Sequence, residues 1–339
     1  MKFSTHMLTV VDQPFEEWRS LVRYAEECGL DMFGVGDVQT KCLECYVSLT
    51  MLALHSTKTP FASIISNPVT RHPGVVASSW ASLQRLSGGR AIYGVSTGNS
   101  ALHNLSVPPA SVAQLEEHVR AVRELLRDGT TTYRGTRCHL PWAPHAVPGG
   151  VPVYLAANGL KSLHLGGRIA DGIFIGMGIT KDVAVTTLEV IEQGARSAGR
   201  RLEDIDLWWV IDLNTGDDDA TAQQEVLNTV ASVSSRAFRS TFEGKCVPKD
   251  VQKAIRQFER EYDYTQHGTT DSPNEQLMER LGLKEFLAER FSIAGRPETV
   301  ARRLKQVRGY GVENIHYIGL APDLRRVLKD LTEKVRPQL

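Results

Sequence analysis

SNPVTRHPG, residues 66–74, joins an apolar run to an amphipathic one. Upstream, PFASII (60–65) is short, apolar and rich in β-formers. Downstream, GVVASSWASLQRLSGGR puts Val76, Trp80 and Leu83 on one helical face and stops at Gly88-Gly89. Pro73 suits the first turn of that helix, where its missing N–H would have had no partner anyway. The nonapeptide is therefore a loop at the C-terminal end of a strand. Parallel α/β folds place their ligands there.

Working outward, the same alternation recurs. Strands are predicted over 2–8, 32–36, 60–66, 90–96, 151–157, 172–176, 206–213 and 314–320. Helical patterns such as FEEWRSLVRYAEECG, LECYVSLTMLALHS, SVAQLEEHVRAVRELLRDG and PETVARRLKQVRGYG lie between them, each ending near a glycine or in a polar turn. Eight strands alternating with about eight helices predict a single (β/α)8 TIM-like barrel over 1–339. A doubly wound open sheet would need a glycine fingerprint after the first strand, and THMLTVVDQ contains none. Two connections are long. The first, 97–150, holds one helix and then TRCHLPWAPHAVPGG; the second, about 214–292, reads as a helical insertion after the seventh strand. A lid over the barrel mouth is one reading of that insertion, with Tyr262, Tyr264 and His267 as its substrate-side residues, and a solvated helical elaboration is the other.

Charge excludes some partners. Lys+Arg and Asp+Glu both number 39, so no net field draws the chain to nucleic acid or an anionic membrane. The five cysteines are odd in number and scattered, as in a reduced intracellular protein, and no apolar stretch has the length of a membrane span. The expectation is a soluble cytoplasmic protein. Cys42 and Cys45 form a single CxxC with no second pair, so no metal site is predicted. H-E-x-x-H and the phosphate loop GxxxxGK[ST] are both absent.

What remains is a set of small and polar residues at strand C-termini: His6; Asp37 and Gln39; Ser66 and Asn67; Thr97 and Asn99; Asn158; Met177. Taken singly each suits a turn or a cap. Together they suit a planar, heteroatom-rich ligand better than a metal. LAANGLKSLHLGG (155–167) and GIFIGMGIT (172–180) are strand–turn–helix stretches on adjacent units, whose free N–H groups could hold a phosphate.

SNPVTRHPG, LSGGRAIYGVSTGNSA and VPVYLAANGLKSLHLGGRIADGIFIG, in that order, resemble the signatures of the bacterial luciferase-like monooxygenase superfamily, and within it those of the methylenetetrahydromethanopterin reductase branch. The resemblance runs from the first strand to RPETVARRLKQVRGYGVENIHYI. It implies FMN or the deazaflavin F420 at the C-terminal mouth. It also implies a bulge at Ile64, Ile65 and Ser66 behind the flavin ring, often with a non-prolyl cis peptide, and Asn67 at the ring's polar edge. Thr97 and Gly98 match the fourth-strand contacts, and Ala157, Asn158, Gly159, Gly176, Met177 and Gly178 match the segments for ribityl chain and phosphate.

Three positions depart from the pattern. Gln39 stands where some branches carry a His, Asn99 where the F420 dehydrogenases and reductases carry an acid, and His6 where the reductases have a Glu. The catalytic candidates are His6, Asp37, Gln39 and Glu44, with His6 the natural proton shuttle near neutrality. Glu44 also fits a helix-start charge. The function expected first is an FMN-dependent monooxygenase acting on a small molecule, with a separate flavin reductase as partner and a homo-oligomeric assembly. An F420-dependent hydride-transfer enzyme is the alternative, and a flavin-binding barrel without turnover the third reading.

Overall fold

The computed structural model describes residues 1–7, 12–40, 42–239, 241–266, 272–319 and 323–339. Its strands are β1 (Lys2–His6), β2 (Met32–Val35), β3 (Phe61–Ser63), β4 (Ala91–Val95), β5 (Thr130–Tyr133), β6 (Thr136–His139), β7 (Val153–Ala157), β8 (Gly172–Ile175), β9 (Asp206–Thr215), β10 (Ser292–Gly295) and β11 (Asn314–Tyr317). The order β9-β11-β1-β2-β3-β4-β7-β8, with β8 paired back to β9, closes eight strands into a (β/α)8 barrel. These are the eight strands expected from the sequence. Neither β10 nor the antiparallel hairpin β5–β6 was among them. The hairpin turns at Arg134 (φ 48°) and Gly135 (φ 77°), both left-handed, the backbone a tight two-residue turn requires. β10 pairs in parallel with the second half of β9, Ser292 opposite Asp212 through Gly295 opposite Thr215.

Contacts divide the chain into two compact units. One comprises His6–Ala156 and Ile169–Ile173. Its helix Pro73–Leu86 starts as expected: Pro73 opens the first turn, and His72 caps it by accepting the Gly74 N–H on Nδ1 at 3.1 Å. Behind this helix Trp80 donates its indole N–H to Tyr46 at 3.1 Å, and Tyr93 bonds His118 Nε2 at 3.1 Å. His118 has no exposed surface; burial pulls its pKa down to about 4, so it sits neutral in the core.

The other unit comprises Met1–Thr5, Ala157–Arg168 and Phe174–Leu339, and it contains the predicted insertion. The insertion is helical, with Leu227–Ala237, Lys249–Glu261, Pro273–Arg280 and Lys284–Phe291 packed on one apolar core that includes Val230, Phe238, Phe258, Met278 and Phe291. Leu227–Ala237 is buried almost all round, so it behaves as a core helix rather than a solvated one.

One buried acid stabilises the first-named unit. Glu26, on the helix Phe15–Glu27, accepts the N–H groups of Thr57, Lys58 and Thr59 at 2.9–3.0 Å and the Thr57 hydroxyl at 3.0 Å. Burial alone would raise its pKa, but these donors outweigh it and hold the carboxyl down at about 2, against an ordinary 4.5. A depressed folded-state pKa stabilises above the unfolded value and is lost as pH falls through the folded one. The Glu26 contribution, at most about 3 kcal/mol, should therefore be intact above pH 4.5 and vanish as pH drops toward 2. Urea unfolding of Glu26→Gln should show lower stability at pH 7 and a flatter dependence between those two pH values.

Candidate functional site

In the unit of His6–Ala156, strand β3 stops at Ser63 and the chain bulges out through a cis Ile64–Ile65 peptide. The backbone ladder resumes only at Ser66, whose N–H donates to Gly94 O at 3.1 Å and whose carbonyl accepts from Ser96 at 3.0 Å. Ser63 fills the gap with its side chain, donating to Gly94 O at 2.7 Å and accepting the Gly94 N–H at 3.1 Å. Gly94 is there because nothing larger fits: a Cβ would lie 1.9 Å from the Ser63 carbonyl oxygen. His6 Nε2 donates to the Ile64 carbonyl at 2.8 Å, so this ring is tied to the bulge.

The loop that follows is anchored by charge. Asp37 Oδ2 accepts both the Ser66 hydroxyl and Arg71 Nη1, each at 2.7 Å. Arg71 also pairs with Glu44 and lies over the Tyr46 ring, 4.7 Å from its centroid. Burial works against the guanidinium, but the two carboxylates hold its pKa above the ordinary value. Glu44 in addition caps the helix Cys45–His55, accepting the N–H groups of Tyr46 at 2.7 Å and Val47 at 3.0 Å. Gln39 donates its amide to the Ala101 carbonyl at 3.1 Å. The catalytic candidates Asp37, Gln39 and Glu44 thus all have structural hydrogen bonds. Cys42 and Cys45 are buried free thiols whose pKa burial raises, and among the described residues no cluster could hold a metal ion.

Asn67 carries the clearest ligand signal. Its Oδ1 closes the turn by accepting from Val69 and Thr70, while Nδ2, on a side chain 2% exposed, has no hydrogen-bond partner. An orphaned buried donor costs about 1–3 kcal/mol. Half-buried Ile65 and fully buried Ser66 flank it, and Thr97 and Gly98 (φ 98°) follow the neighbouring strand β4, with the Gly98 Cβ position 3.2 Å from Asn67 Cβ. A planar, heteroatom-edged ring with a carbonyl acceptor fits these residues.

In the other unit, Gly176 donates to the Ala157 carbonyl at 3.0 Å, and a Cβ on Gly176 would lie 2.0 Å from Asn158 Oδ1. Arg290 holds the turn from behind, donating Nε to the Met177 carbonyl at 2.9 Å and packing where a Cβ on Gly178 would stand. Gly159 faces open space before the helix Leu160–Ile169, which leaves room for an anion at that turn. Tyr262 is buried against Phe258 and Tyr264, and the Tyr264 hydroxyl pairs with Arg239. His267 lies outside the described residues. One candidate escaped the sequence reading: Asp212 on β9 has no exposed surface, and its Oδ2 has no partner. Burial pushes its carboxyl up to about 7, although Oδ1 accepts the Leu213 N–H at 2.9 Å. The signal was a lone acid inside the apolar run DLWWVIDL.

Residues 1–314 match the family model described as luciferase-like monooxygenase, and the chain belongs to that family of enzymes. A relative, the 5,10-methylenetetrahydromethanopterin reductase of Methanopyrus kandleri, is 27% identical over 94% of this chain and 93% of its own. The solved structure of the coenzyme F420 dependent tetrahydromethanopterin reductase from Methanopyrus kandleri superposes with a TM-score of 0.78 at 22% identity, covering 99% of this chain and 98% of that one. An F420-dependent secondary alcohol dehydrogenase in complex with an F420-acetone adduct gives 0.74 at 17% identity over both full lengths. These relatives favour the alternative expectation over the FMN-dependent one.

The bulge geometry makes Gly94 its keystone. Gly94→Ala should lose about 1–3 kcal/mol in urea unfolding, the range for forcing atoms into a packed site. Ser63→Ala, which removes the bridging hydroxyl without crowding, should cost less.

Proposed function

We propose that this enzyme is an F420-dependent oxidoreductase that transfers a hydride between the deazaflavin and a small organic substrate. The observation that supports it is the full-length likeness to F420-dependent reductases. When bound, F420 would supply the hydride-carrying carbon. The ring would lie against the Ile64–Ile65 bulge, with the Asn67 amide donating to its polar edge. His6 would hold that bulge in place through the Ile64 carbonyl and serve as the proton-transfer group. Asp37 and Arg71 would keep Ser66 and its loop from shifting as the ring enters. Tyr262 and Tyr264, in the insertion, would act indirectly, by holding the helix Leu227–Ala237 and Arg239 in place.

A second reading, an FMN-dependent monooxygenase, draws on one observation: position 99 carries an amide, Asn99, which bonds the Ser100 hydroxyl at 3.3 Å, where an acid would serve hydride transfer. Titrating the apoenzyme with F420 and with FMN by fluorescence separates the two. Micromolar or tighter F420 binding with weaker FMN binding is the expected outcome; the reverse order would favour the monooxygenase.

The cofactor's phosphate is a separate proposal, placed at the turns Asn158–Lys161 and Gly176–Gly178. Gly176→Asp should abolish binding of both cofactors, since the new side chain displaces Asn158 and a carboxylate opposes the phosphate. Unchanged affinity would remove the phosphate from this turn. His6→Ala should lower kcat by about 10²-fold with the substrate KM little changed, the range for loss of a general acid or base. A small rise in cofactor Kd alone would leave His6 as a brace for the bulge and nothing more.

A further inference from the structure

The helix Leu227–Ala237 is unusual in what it buries. Asn228, Thr229, Ser232, Ser234 and Ser235 are each no more than 5% exposed. Thr229, Ser232 and Arg236 recur at helical spacing, and Arg239 continues the same side just past the helix end. Ser232 and Ser235 spend their protons on their own helix, donating to the Asn228 carbonyl at 2.9 Å and the Ser232 carbonyl at 2.8 Å. Tyr262 donates to Ser232 Oγ at 3.4 Å, and Arg239 donates to the Tyr264 hydroxyl, with its guanidinium 5.4 Å from that ring's centroid. Two phenols thus brace this face of the helix.

Arg236 stands apart. Among the described residues its guanidinium makes no hydrogen bond and no ion pair. Of the insertion's acids, Glu259 pairs with Arg256 through one oxygen while the other is buried without a partner, Glu261 pairs with Arg280 and Glu279 with Lys284. Burial and the like charge of Arg239 push the Arg236 pKa down, while Tyr262 and Tyr264 favour its charged form. A guanidinium carries five donors in a planar fork, and in half-buried Arg236 none of them bonds a described protein group. An anionic group on a substrate would supply the missing acceptor.

We infer that Arg236 and Arg239, braced by Tyr262 and Tyr264, form a subsite for an anionic group of the substrate, a carboxylate or a phosphate. The inference deepens the proposed oxidoreductase function by naming the substrate class, and rests on the substrate-side reading of the insertion. A bidentate guanidinium suits either anion.

The test needs no cofactor. The full-length protein is titrated calorimetrically with malonate and, separately, with inorganic phosphate. At least one should bind saturably, and the tighter one names the anion. Arg236→Gln should weaken that binding at least about tenfold, as expected for loss of a charge-assisted hydrogen bond. Arg236→Lys should fall between. Arg196→Gln, on the exposed side of the helix Lys181–Ser197, should bind like wild type. No saturable binding of either anion, or binding unaltered in Arg236→Gln, would overturn the subsite. Should Arg236→Gln fail to fold by circular dichroism, Arg239→Gln carries the same reading with the same outcomes. F420 fluorescence titration of the same proteins keeps the two conclusions apart. Anion binding lost with F420 binding intact supports the subsite, and failure of wild type to bind F420 counts against the cofactor proposal alone.

Discussion

A hydroxyl stands in for a peptide amide at the third strand, and much of the candidate site depends on it. Where the chain leaves the sheet after Ser63, the neighbouring strand would otherwise face an unsatisfied N–H and a half-satisfied carbonyl at Gly94. Buried backbone groups without partners are costly, so a bulge survives only if something replaces the ladder it interrupts. Ser63 does this from within its own strand. The close approach leaves no volume for a side chain at Gly94, and the bulge it permits brings Asn67 in with its Nδ2 unsatisfied. Backbone geometry, rather than any charged group, sets up the edge that carries Asn67.

Charge enters one layer further out. Arg71 sits between Asp37 and Glu44 above an aromatic ring, with Ser66 sharing the same Asp37 oxygen. Removing one partner from such a partly buried set leaves the others uncompensated, which costs far more than the pairing itself contributes. Asp37 and Glu44 each accept two or more donors, whereas His6 bonds a backbone carbonyl and Asp212 is a carboxyl that burial moves up to about 7.

The barrel strands were legible because each is a short apolar run bounded by turn residues, repeated with helical patterns between. The helix start at His72-Pro73 was legible for the same local reason. The β5–β6 hairpin escaped because its two four-residue strands lie in a connection otherwise full of proline and glycine; only Arg134-Gly135 marked the turn. β10 escaped because its pairing depends on the far half of β9, beyond any local window. Gly94 was visible as a glycine within a strand, a known sign of close approach, but the partner atom was not. Glu26 reads from sequence as a surface charge on an amphipathic helix. Its role exists only because a loop more than thirty residues away folds over it. That Tyr262 packs in the insertion's core could not be read locally, since helical packing of the insertion is a tertiary property.

The ten residues of β9 carry a consequence for modular engineering. Trp209–Ile211 pair with β11 of the ring, and Asp212–Thr215 pair with β10 at the end of the insertion. One uninterrupted strand is therefore shared by scaffold and elaboration, and the insertion's return path is itself hydrogen-bonded to that strand. A loop attached at two points can be exchanged as a cassette; this one is sewn along an edge. Chimeras that trade substrate preferences between relatives should place their junctions before Asp206 and after Gly295, so that the shared strand and its partner travel together. A boundary drawn at the visible end of the barrel would instead cut through the seam.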